Sequence, residues 1–140
     1  MKSVYRVLAY GVAGLVVVQA IAVVWAISGE SRYIAEGGVI DKATVESREF
    51  VFPEVLGYAV HGINGDMIIP LAALSLLIVS FFARVPGGVK WAAVVFGLVA
   101  VQAMLGHASH SLPIAGAFHG LKALLLFSAS IYAALRVKRA

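Results

Sequence analysis

Four long, predominantly apolar stretches leave this chain little freedom in how it folds. They run over about residues 5–28, 55–83, 89–109 and 113–135. Each reaches the roughly 20 residues that an α-helix needs to cross about 30 Å of hydrocarbon. In hydrocarbon a backbone must satisfy its own hydrogen bonds, which restricts spanning segments to helices and closed barrels, and continuous runs of this length are helical. The four stretches nearly exhaust the 140 residues, of which 13% are charged, about half the share of a soluble domain. The expectation is an all-α chain, an integral-membrane four-helix bundle forming a single domain over residues 1–140. Only residues 29–53 remain as a sizeable extramembrane segment, so no soluble catalytic domain is expected. Lys2 and Arg6 precede the first run as they would in a secretory signal, but the length of that run reads as a retained helix.

The basic residues gather at helix ends instead of forming a patch, so the net charge of +4 reports orientation and not nucleic-acid binding. Lys2, Arg6, Arg84, Lys90, Arg136, Lys138 and Arg139 flank one face, whereas the 29–53 loop carries Glu30, Glu36, Asp41, Glu46 and Glu49. The positive-inside rule then places both termini in the cytoplasm, and the compartment is read as a prokaryotic plasma membrane crossed several times. Within the loop Gly37 and Gly38 act as breakers, and DKATVESREF reads as a short helix capped by Asp41. Val45, Phe50 and Phe52 are available there to lie on the membrane surface or cover the bundle. VPGGV at 85–89 is a short turn, and Pro113 suits the first turn of the fourth span. Absence of cysteine excludes disulfides, thiolate ligation and iron–sulfur clusters.

GLVVVQA at 14–20 and GLVAVQA at 97–103 agree at six of seven positions. Spans one and three therefore read as repeats, each followed by a span with a histidine near its outer end, giving two helical hairpins of one kind. Counting at 1.5 Å per residue puts His61 and His119 about 10 Å below the outer surface, and Gln19 and Gln102 at about the same level. Four polar side chains from four helices thus converge on one layer.

Small residues flank both histidines on their own faces: Gly57 and Gly65 around His61, Ala115 and Ala123 around His119, with Gly116 adjacent. Smooth strips beside two facing imidazoles suit a large flat ligand, and the reading is one haem b per chain, its iron held by His61 and His119. The competing reading is ordinary helix packing, in which small residues bring helices together and a histidine bonds to its neighbour. His107 and His110, three apart, have spacing that can hold zinc or copper, but no further ligands are evident, and they read as interfacial residues. Asn64 and Lys122 stand three residues deeper than the two layer histidines. Asp66 is the acid at comparable depth to Lys122, and Trp25, Tyr33, Tyr58 and Trp91 read as interface anchors.

QAMLGH at 102–107 followed by HGLKALL at 119–125 resembles the third and fourth helices of one half of the haem A synthase family, and the span around His61 resembles that half's second helix. The resemblance covers most of the chain and implies a haem between His61 and His119; the depth count puts Gln19, Gln102 and Lys122 near it. Where the family's catalytic pattern has a glutamate three residues before the second-helix histidine and a basic residue after it, this chain has Tyr58 and Gly62. Glu54 and Asp66 are the remaining candidates for a catalytic carboxylate. The expectation is a haem-binding membrane protein for electron transfer or quinol-linked redox chemistry. The alternatives are a half-size enzyme of the haem A synthase type and a non-haem accessory subunit of a larger complex. Expected partners are the bilayer, a quinol or redox protein, and further copies or subunits of a respiratory assembly.

Overall fold

The computed structural model describes residues 1–47 and 49–139, apart from the side chains of residues 138 and 139. Arg48 of the expected loop helix, Ala140, and the Lys138 and Arg139 side chains of the basic set lie outside the described residues. All regular structure among the described residues is helical. The elements are α1 (Lys2–Ala35), α2 (Lys42–Ser47), α3 (Leu56–Ile63), α4 (Ile69–Ala83), α5 (Gly88–Ser109) and α6 (Pro113–Leu135). A 3-10 turn at Pro53–Val55 leads into α3, and a π turn at Asn64–Ile68 joins α3 to α4 in one continuous span. Four stretches, Lys2–Ala35, Pro53–Ala83, Gly88–Ser109 and Pro113–Leu135, are long and apolar enough to cross a membrane, the pattern of a multi-pass membrane protein.

The first helix runs past the apolar stretch, through SGESRYIA to Ala35. Ser28 and Ser31 donate back to the carbonyls of Val24 and Ile27, each at 2.8 Å, which satisfies their hydroxyls inside the helix. Cross-links then hold the extra turns: Arg32 donates to Glu54 at 3.1 Å, and the Tyr58 hydroxyl donates to Glu30. Gly37, at φ +93°, ends the helix in a conformation open to glycine. The loop helix is shorter than DKATVESREF, and Asp41 caps it by accepting from the Thr44 amide at 2.8 Å. Of the three apolar loop residues, Phe52 is buried beside Tyr33 at 5.5 Å between ring centres, while Val45 and Phe50 are exposed.

The π turn has a cause in the sequence. Pro70 lacks an N–H and its ring crowds the carbonyl four residues earlier, that of Asp66, so a regular α-helix cannot pass through this segment undisturbed. The wider turn accommodates the proline, which sits at the start of α4.

Neighbouring helices alternate in direction around a ring: α1 packs on α4 and on α6, and α5 packs on α4 and on α6. The span α3–α4 and helix α6 therefore face one another across the diagonal. The main core cluster fills the end nearer the chain termini, where Tyr5, Val12, Leu76, Val95 and Leu126 are buried among Ala9, Ala73, Ala92, Ala133 and Ala134. Alanines at these crossings let the helix backbones approach closely. Tyr5 closes this end by donating to the Gly88 carbonyl at 3.1 Å.

The other end, which carries the 36–55 loop, is built differently. There α3 packs on α1 and makes no comparable contact with α5 or α6. No side chain is buried over residues 100–109 of α5 or over 116–125 of α6. The bundle is closed at one end and splayed at the other, and both layer histidines lie in the splayed half.

Candidate functional site

Each histidine is seated by the helix that precedes it in the chain. His61 Nδ1 lies 3.1 Å from the Gln19 carbonyl of α1, and His119 Nδ1 lies 3.0 Å from the Gln102 carbonyl of α5. The matched heptapeptides thus place the same backbone group under the same ring atom in both hairpins. A carbonyl oxygen only accepts, so each Nδ1 carries the proton and each neutral ring keeps its lone pair on Nε2. The two rings stand 6.1 Å apart between centroids, inclined at 53°, and both side chains are half-buried.

The glutamine side chains have different tasks. Gln102 Nε2 donates to the His119 carbonyl at 2.8 Å, so this glutamine and this histidine are doubly tied. Gln19 Oε1 accepts from Asn64 Nδ2 at 3.1 Å, and the same amide donates to the Leu15 carbonyl at 3.0 Å. Asn64 is 3% exposed, so these bonds fasten span two to α1 one turn below His61. Asn64 Oδ1 and Gln102 Oε1 are buried acceptors with no partner among the described residues.

The flanking small residues divide between two tasks. A methyl group on Gly57 would run into the Ala22 carbonyl and stand 3.0 Å from Ala26 Cβ, and one on Gly65 would come within 2.7 Å of Gln19 Nε2. Both glycines therefore serve the α1–α3 contact. Gly116 faces Ser109 of α5, Ala115 is buried, and Ala123 packs against the core. A glycine outside the expected set stands closest to a ring: a methyl group on Gly106 would lie 3.2 Å from His119 Cε1 and 3.3 Å from Nδ1.

The remaining candidates lie elsewhere. Glu54 is held by Arg32 at the loop end. Asp66 meets His107 Nε2 at 3.2 Å, on the outside of the bundle. His110 is exposed at the end of α5. Lys122 is half-buried and forms no ion pair among the described residues. Trp25 and Tyr58 are exposed, and Trp91 stacks on Tyr132 with centroids 4.4 Å apart.

Sequence reasoning brings His61, His119, Gln19 and Gln102 to one layer, as found. The structure adds which atoms meet: the glutamine backbone carbonyls hold the imidazoles, and their side-chain amides hold Asn64 and the His119 carbonyl. The seat made by Gly106 and the π turn were not foreseen, although Pro70 in mid-span is a signal for the latter.

Two imidazoles that ligate one metal ion at about 2.0 Å per bond bring their ring centres to roughly 6 Å. The observed 6.1 Å fits one ion between them, and ligating histidines commonly donate their other N–H to a carbonyl, as here. No group of three or more His, Asp or Glu side chains able to hold a metal is found among the described residues. Beside the two rings, α3 makes few contacts with α5 and α6.

Comparison with protein-family models, with curated proteins and with solved structures finds no match to this chain.

Proposed function

We propose that this chain is a membrane electron carrier that holds one haem b between His61 and His119, in the half of the bundle nearer the outer surface. The observation that carries the reading is the facing pair of imidazoles, 6.1 Å apart, with each Nδ1 seated on a glutamine carbonyl. The seat on Nδ1 leaves the Nε2 lone pair of each ring as the one that would take the iron. Bound haem would supply reversible one-electron chemistry at its iron. Asn64 ties span two to α1 and Gln102 ties α6 to α5, so each hairpin holds its own ring in place. The reading further takes both termini as cytoplasmic, the two hairpins as repeats of one unit, and the membrane as a prokaryotic plasma membrane with a quinol or redox protein as donor.

An enzyme of the haem A synthase type, which the resemblance implies, is less well served. His61 and His119, if both held a haem iron, would leave it no open position for substrate. The two candidate carboxylates are both partnered, Glu54 by Arg32 and Asp66 by His107. The test is the absorption spectrum of purified, dithionite-reduced protein. Sharp, split bands of a six-coordinate low-spin haem are expected, lost or strongly altered in His61→Ala and in His119→Ala and retained in His110→Ala. Colourless protein after haem-supplemented expression would replace the reading with a non-haem accessory subunit. Conversion of haem O to haem A on coexpression would replace it with the enzyme.

A further inference from the structure

Asp66 and His107 take no part in the imidazole layer. The π turn at Asn64–Ile68 carries Asp66, and π turns recur at functional sites. Asp66 projects outside the bundle, 52% exposed, and its Oδ1 lies 3.2 Å from His107 Nε2. Ionisable groups within a span are costly and mark functional sites. Asp66 also borders a groove between α4 and α5 whose other lining residues, Met67, Pro70, Leu71, Leu74 and Phe96, are apolar.

Such a groove suits an amphiphile with a small polar head at Asp66 and a hydrocarbon tail along Leu71 and Leu74. Charge selects the head. A phosphate would meet the Asp66 carboxylate and be repelled. A neutral dihydroxyaromatic ring brings O–H donors, and a carboxylate accepts such bonds strongly. We propose that this groove binds the head group of a membrane quinol, with Asp66 accepting from one hydroxyl and His107 steadying the carboxylate. His107 sits on α5, five residues beyond the Gln102 that seats His119, which puts the groove beside the imidazole layer. The inference rests on the haem reading for its role as electron donor site, and not for binding itself.

The test uses full-length protein in phosphatidylcholine nanodiscs, with decylubiquinol under argon as titrant and a photoreactive azidoquinone as label. Label is expected on the peptides containing 66–74 and 96. Asp66→Leu and Leu71→Trp should each weaken quinol binding at least tenfold, while Leu124→Ala, exposed on α6 away from the groove, should bind quinol like the parent. Asp66→Leu removes a charge from a span, so helicity by circular dichroism should be preserved. Unchanged binding in both groove variants overturns the proposal, as does labelling of the groove by a photoreactive anionic phospholipid in place of the quinone. Colourless protein with groove-dependent quinol binding would sink the haem reading alone. Coloured protein whose quinol binding ignores both groove substitutions would sink the groove alone.

Discussion

Gly57→Ala tests whether close approach of α1 and α3 is what seats His61. In the parent protein the space for a methyl group at this position is occupied by the Ala22 carbonyl, with Ala26 Cβ at 3.0 Å and the Ala26 amide nitrogen at 3.2 Å. These are backbone atoms and a Cβ, so no side-chain rotation clears the way. Since carbon atoms rest at about 3.5–4.0 Å from one another, α3 must move away from α1 by about 0.5–1 Å. His61 lies one turn further along the same helix face, so its 3.1 Å bond to the Gln19 carbonyl would stretch beyond hydrogen-bonding distance. Overpacking of this kind costs about 1–3 kcal/mol, and replacing a helical glycine by alanine offsets about 0.5–1 kcal/mol. The expected net loss is therefore about 0–2.5 kcal/mol, with a middle value of about 1 kcal/mol. Gly62→Ala is the control, because a methyl group there meets nothing within 4 Å, and it should gain about 0.5–1 kcal/mol. The assay is unfolding by sodium dodecyl sulfate in mixed micelles, followed by far-ultraviolet circular dichroism, with the reduced spectrum recorded on the same samples. If Gly57→Ala proves as stable as Gly62→Ala with an unchanged spectrum, the close contact does not seat the histidine and the reasoning fails.

Asn64→Leu removes both donors from span two to α1 while keeping the branching at Cγ. At about 0.6 and up to 1.7 kcal/mol per interhelical bond in a membrane, it should lose about 1–2 kcal/mol in the same titration, and no loss would show that the pair is energetically idle. Tyr5→Phe leaves the Gly88 carbonyl without its side-chain donor and should cost about 1 kcal/mol, with the effect confined to stability and absent from the spectrum. Asp41 is held below the ordinary carboxylate range, first by the Thr44 amide and then by the Thr44 hydroxyl. Its contribution to α2 is thus present above that range and is lost as the pH falls through the lowered value; exchange of the Thr44 amide should quicken there in the parent and be fast at every pH in Asp41→Ala. A reporter inserted near Gly38 should lie outside the cell and one after Arg136 inside, and the reverse result would invert the proposed topology.

The sequence by itself determined the four helices and the layer they build. Apolar runs of spanning length admit helices because hydrocarbon offers the backbone no other partner, and a fixed rise per residue turns sequence position into depth. His61, His119, Gln19 and Gln102 could therefore be assigned to one level by counting. The matched heptapeptides likewise announced that both hairpins seat their histidines alike. Polar stretches were less legible: SGESRYIA carries no hydropathy signal, and α1 extends through it because Arg32 and Glu30 find partners on span two. Counting also cannot tell which atom of a residue meets its neighbour. That Gln19 and Gln102 offer backbone carbonyls, that Gly57 and Gly65 face α1 while Gly106 lies under a ring, and that Asp66 pairs with His107 outside the bundle all depend on helix rotation. Rotation is decided by how four surfaces interlock and by the π turn that Pro70 imposes, which shifts every residue after it around the helix axis. Depth is a local property of a chain in a bilayer, whereas facing is a property of the packed bundle.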